Sequence, residues 1–235
     1  MNIIVCTPLN TLHTALARKL LPQGYNLVKL NTLDEIEASI PVRSKIAFID
    51  DGGFDIKELL HMVARIKKKL PGFRLTLLTR TSEMQLIKVF IQLGVDMVVQ
   101  SSLHLDTIAE RFSGFLQKVV LDHRDRRFVR IKPADNEVST LQFLIYSRNI
   151  FVTGKITDVS MGGVAAKFSS SEIEMLSPDE IFKNAKINLG KKSIQADVKL
   201  QKKGKDVAAF SFERMRVSFQ DSLSEYIYFK SQTLP

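Results

Sequence analysis

LDHRDRRFVRIK, residues 121–132, is where the hydrophobic period of this 235-residue chain changes. Before it, short apolar runs alternate with amphipathic helical spacings. After it, helical stripes give way to β-rich segments separated by turn signals. The portion His123-Arg124-Asp125-Arg126-Arg127 is polar and charged, and it sits at the switch, so it reads as a joint. The chain divides there into residues 1–121 and 122–235, each of a size normal for one modest domain.

Upstream of the joint, the apolar runs are Ile3-Ile4-Val5, IAFID within Val42–Asp50, LTLLT at 75–79 and VDMVV at 95–99. Leu12, Leu16 and Leu20 recur at every fourth position. Ile56, Leu59, Leu60, Val63, Ile66 and Leu70 form one helix face, and Ile108, Phe112, Phe115, Leu116 and Val119 form another. Continuously apolar strands between amphipathic helices predict a doubly wound α/β domain: a parallel sheet of five strands with five helices, the second short and weak at about 33–40.

Downstream, the β-rich segments are 128–132, 139–146, 150–159, 164–168, 185–189, 193–201 and 206–215. Lys202-Lys203-Gly204-Lys205 reads as a hairpin turn between the last two. Short strands at this spacing predict a small antiparallel barrel. The tail from Ser218 is helical, with Phe219, Leu223, Tyr226 and Ile227 on one face and Ser218 with Asp221 as a capping pair.

Composition narrows the chemistry. With 45% hydrophobic residues the chain is globular rather than disordered. The 34 Lys+Arg against 25 Asp+Glu give a net charge of +9, which suits a phosphate-bearing partner. The one cysteine, Cys6, excludes an intramolecular disulfide or a cysteine-based zinc cluster, and reads as a small buried hydrophobe. No apolar run approaches the ~18 residues of a membrane span. MNIIVCTPLN lacks the basic region and length of a secretory signal, so the expected location is cytoplasmic.

Two motifs carry the functional reading. Residues 124–130, RDRRFVR, hold four arginines and no lysine. Arginine presents a planar fork to phosphate or to the O6/N7 edge of guanine, and its flat face stacks on a base. A solvated interdomain linker is the plain alternative. Asp158-Val159-Ser160-Met161-Gly162-Gly163 closes a strand. It reads as a simple turn, or as a site where a carboxylate accepts from a guanine edge and glycine admits a flat ligand.

Arg126-x-x-x-Arg130 followed, 28 residues after Arg130, by Asp158-x-Ser160-x-x-Gly163 resembles the PilZ domain, a family of bacterial receptors for cyclic di-GMP. The resemblance covers roughly residues 122–235, including Phe210 and Phe212 on a late strand before a terminal helix. It implies a six-stranded antiparallel barrel with an arginine-rich arm, residues 122–130, that folds over the nucleotide against the Asp/Ser/Gly turn. Arg126 and Arg130 would engage phosphates and guanine, with Arg130 or Arg127 stacking on a base. Asp158 would read a guanine edge, Ser160 would add a phosphate or base contact, and Gly163 would permit close approach. Arg124 is included without a motif counterpart. An arm mobile when empty spends ordering entropy on binding, and by clamping the ligand it would reorient its neighbours.

The first half resembles a response-regulator receiver domain. KIAFIDDGG at 45–53 matches its third strand, with Asp50 at the phosphoacceptor position, and Thr79 matches its hydroxyl position. Where receivers carry a Mg²⁺-holding acidic pair, this chain has Cys6-Thr7, and the lysine position falls near Ser101. Asp50 is therefore expected to cap a turn with Asp51 and Gly52, and the domain to be a degenerate receiver used for protein docking or dimerisation.

His13, His61, His104 and His123 show no metal spacing, Lys67-Lys68-Lys69 reads as a solvated helix end, and no enzyme motif is visible. The chain is expected to be a non-enzymatic cyclic di-GMP effector that relays the signal to a protein partner, in motility or surface behaviour. It is expected to need no metal, nucleic acid or membrane span. The alternatives are a regulator phosphorylated at Asp50, a nucleic-acid binder, and an adaptor that binds no nucleotide.

Overall fold

The computed structural model describes residues 1–119 and 128–232, and the chain divides into two compact units at Arg127/Phe128. In the first unit the order is β1 (Asn2–Cys6), α1 (Asn10–Leu20), β2 (Asn26–Leu30), α2 (Leu33–Arg43), β3 (Ile46–Asp50), α3 (Ile56–Lys69), β4 (Arg74–Thr79), α4 (Met84–Gln92), β5 (Met97–Gln100) and α5 (Leu105–Val119). All strands pair in parallel in the order β2-β1-β3-β4-β5. The central strands are buried on both faces, which is why they read as unbroken apolar runs: every residue of β3 is buried.

Helix ends follow local chemistry. Asp55 caps α3 by accepting from the Lys57 and Glu58 amides. The second helix is longer than expected. Thr32 and Glu35 form a reciprocal capping box, and the helix runs from Leu33 to Arg43. Lys67 also departs from a solvated helix end: its ammonium donates to the Phe73 carbonyl and to Asp96, both at 2.7 Å. Asp96 accepts from Arg74 and the Leu75 amide as well, and these donors hold its carboxyl below the usual range despite burial, which opposes them.

The second unit runs β6 (Ser139–Ile145), β7 (Ile150–Ser160), β8 (Gly163–Lys167), α6 (Ser170–Glu174), β9 (Ile181–Leu189), β10 (Lys192–Lys203), β11 (Val207–Met215) and α7 (Val217–Ser231). Its six strands close a barrel in the order β10-β11-β8-β7-β6-β9, each pair antiparallel. The predicted architecture of both halves is therefore the observed one. Alternation sends Phe143, Phe182 and Phe210 inward to meet Phe168, with ring centroids 4.1 to 6.1 Å apart. Phe212 stays half-exposed.

Three local expectations change. Segment 128–132 is not a strand; Ile131 alone bridges to Val159. Helix α6 was not anticipated, since a five-residue helix shows too little periodicity; Ser169 and Glu172 cap it reciprocally. Helix α7 begins after Arg216 with no side-chain cap, and Ser218 instead receives the Ser222 hydroxyl on its carbonyl. Tyr226, Ile227 and Leu223 of α7 are buried, and Lys230 pairs with Glu137 at 2.6 Å.

His13, 1% exposed, places Nε2 3.2 Å from the Thr7 carbonyl. Burial pushes its pKa down to about 4 from the ordinary 6.5. Between those values the unfolded chain binds a proton the folded chain refuses, so this contribution is full above pH 6.5 and lost on acidification toward 4. Stability measured by denaturant titration should fall more steeply across that window in the native chain than in His13→Gln.

Candidate functional site

β7 outruns its neighbour. Pairing with β6 extends only to Lys155, which leaves the far edge of β7 free near its C-terminal end. Ile131 takes that edge. Its amide donates to the Val159 carbonyl at 2.8 Å, and the Val159 amide donates back at 2.9 Å. Both side chains are buried, so alternation turns their neighbours Arg130 and Asp158 away from the core.

The Arg130 guanidinium lies 3.7 Å from an Asp158 carboxylate oxygen, with the two side chains 66% and 26% exposed. That separation is too long for a hydrogen bond. An exposed pair of this kind contributes about 0–1 kcal/mol. It is a loose pairing of a donor fork and an acceptor, both open to exchange for a ligand.

The β7–β8 turn closes beside this pair. Ser160 is buried, donates its hydroxyl to the Gly163 carbonyl at 3.4 Å and accepts from the Gly162 amide at 3.2 Å. Met161 reaches α7, where Ser224 donates to its sulfur at 3.5 Å. Gly162 receives the Phe212 amide on its carbonyl, at 3.1 Å. Gly163 faces the backbone of β11, and a Cβ there would be driven into the Phe210 carbonyl oxygen. The barrel itself thus demands glycine at 163, whatever the site binds.

Of the predicted ligand residues, Arg130, Asp158, Ser160 and Gly163 are brought to one corner of the barrel. Arg124, Arg126 and Arg127 lie outside the described residues. Sequence reasoning missed Phe128, whose ring rests on Gly162, although both residues lie inside the quoted motifs. It also treated residues 122–130 as one mobile arm, whereas Phe128, Arg130 and Ile131 are docked on the corner.

The first unit places Asp50 at the C-terminal end of β3, at the switch point of the sheet between β1 and β3. It is 1% exposed. One carboxylate oxygen accepts the Thr7 hydroxyl at 2.6 Å and the other accepts the Gly52 amide at 2.9 Å. Asp50 caps the Asp51–Gly53 turn, as the sequence suggests. Asp51 is engaged by the Thr79 hydroxyl and the Arg80 amide, and the Arg80 guanidinium lies against Gly52. Burial raises the Cys6 thiol to about 12, so it stays protonated. Among the described residues no group of His, Cys, Asp and Glu is arranged to hold a metal ion, and no helix is long and apolar enough to cross a membrane.

No family model matches the chain, and no curated protein does. Its structural neighbours include PilZ domains and receiver domains. The PilZ domain with c-di-GMP of YcgR from Escherichia coli is 21% identical, with TM-score 0.39, over 46% of this chain and 90% of that one. The c-di-GMP complex of MrkH from K. pneumonia is 18% identical, TM-score 0.40, over 45% of this chain and 52% of that one. A response regulator from Thermotoga maritima is 20% identical, TM-score 0.41, over 51% of this chain and 96% of that one. The chain thus spans about half the length of MrkH.

Gly163→Ala should destabilise the second unit by about 1–3 kcal/mol, the usual cost of overpacking. Thermal unfolding would read this as a lowered midpoint.

Proposed function

We propose that the barrel corner binds cyclic di-GMP and that the protein is a non-enzymatic effector of that messenger. The observation that carries the reading is the juxtaposition of Arg130 and Asp158 at one corner of the barrel, directly downstream of Arg126 and Arg127 in the sequence. A doubly anionic ligand bearing guanines offers what each member of the loose pair lacks. Phosphate or the guanine O6/N7 edge takes the guanidinium, and the N1–H/N2–H edge donates to the carboxylate. Arg126 and Arg127, with Arg124 nearby, supply further charge, and one arginine stacks on a base. Ser160 and Gly163 shape the turn against which the ligand lies.

Charge-assisted hydrogen bonds of about 1.5–3 kcal/mol each make a few such contacts sufficient for micromolar binding. The units 1–121 and 122–235 act as separate domains, and clamping of the ligand by the arm at the start of the second is the relayed signal. Its recipient is a protein partner of the receiver-like domain, in motility or surface behaviour of a bacterial cytoplasm. Isothermal titration should give saturable binding that Asp158→Ala, Arg130→Ala or Arg126→Ala weakens by about tenfold to a hundredfold. Undiminished affinity in all three variants would reject the site. Steep salt dependence with DNA or RNA and no response to the dinucleotide would favour nucleic-acid binding instead.

The rival control by phosphorylation meets a filled carboxylate. Whichever Asp50 oxygen attacks a phosphoryl donor already accepts the Thr7 hydroxyl or the Gly52 amide, and Cys6-Thr7 stand at the end of β1 in place of an acidic pair. Incubation with a small phosphoryl donor and Mg²⁺ should leave the chain unlabelled; acid-labile label that disappears in Asp50→Asn would establish the rival.

A further inference from the structure

Resting on the nucleotide reading above, we propose that Phe128 is the positioning residue of the arm: its ring, seated on Gly162, holds Arg130 beside Asp158 before any ligand arrives. A Cβ built on Gly162 would lie 2.7 Å from Phe128 Cδ2 and 3.0 Å from Cε2, so the ring occupies the space a side chain at 162 would fill. The backbone of Gly162 gives no other reason for glycine. The positive-φ glycines among the described residues are Gly24, Gly94 and Gly190. Close approach of the ring is therefore what the missing side chain serves.

The floor under the ring is fixed. The Gly162 amide is bound to Ser160 and its carbonyl to the Phe212 amide of β11. Three residues beyond Phe128, Ile131 is fixed in turn by two backbone hydrogen bonds to Val159. Arg130 lies between these two attachments. Its own ion pair is long and exposed, too weak to order a chain segment. An apolar ring on one side and a backbone pair on the other do that work. Residues Phe128 to Ile131 are therefore in place before the ligand arrives, which lowers the entropic cost of binding.

Two variants of the full chain isolate the effect. Phe128→Ala removes the ring, and Gly162→Ala displaces it while leaving phenylalanine in place. In the ligand-free protein, hydrogen exchange at the Ile131 and Val159 amides should accelerate in both, while the thermal midpoint of the barrel stays near that of the native chain. Titration with cyclic di-GMP should show affinity reduced by about tenfold or more, with the loss in the entropic part. Phe128→Tyr should restore both readouts.

Unchanged exchange in both variants overturns the proposal whether or not the dinucleotide binds. Faster exchange with native affinity overturns the positioning role. Faster exchange in a chain whose native form does not bind the dinucleotide supports the anchor and rejects the ligand instead.

Discussion

The pairing of Ile131 with Val159 is the constraint on which the corner depends. A strand of eleven residues lies beside one of seven, so the end of β7 has backbone groups that β6 cannot reach. Val159 and Ile131 are both buried, and an unpaired amide or carbonyl there would cost more than an ordinary hydrogen bond returns. The incoming arm supplies the missing partner. Once that register is set, the alternation of an extended chain puts Arg130 and Asp158 on the outward side together.

Two kinds of glycine meet at this corner. Gly163 is required because β8 and β11 pass too close for a side chain, which is a demand of barrel closure. Gly162 leaves open the space that the Phe128 ring fills. Ser160 joins them by accepting from the Gly162 amide and donating to the Gly163 carbonyl. The turn is thus held by its own hydrogen bonds, while Arg130 beside it stays exposed and only loosely paired with Asp158.

The receiver-like sheet shows the opposite arrangement. Its switch point, where open α/β sheets commonly bind ligands, is closed by its own side chains. Thr7 gives its hydroxyl to Asp50, and His13 lies against the Thr7 carbonyl. A carboxylate satisfied on both oxygens in a buried site is a structural element.

Both folds were legible in the sequence because burial imposes period: both-face burial gives runs such as IAFID, and one-face burial gives the alternation of β6. The Arg and Asp motifs were legible too, since their residue types announce charge and turn chemistry by themselves. Capping of α2 by Thr32 and Glu35 was also written locally, but it was outweighed by a weak apolar stripe. What the sequence left open was whatever depends on residues far apart. The engagement of Lys67 by Asp96, the closure of Gly163 against Phe210 and the seating of Phe128 on Gly162 join positions 29 to 47 residues apart. No periodicity records such pairs, because they are fixed by strand order and register, which only the closed barrel and the wound sheet decide.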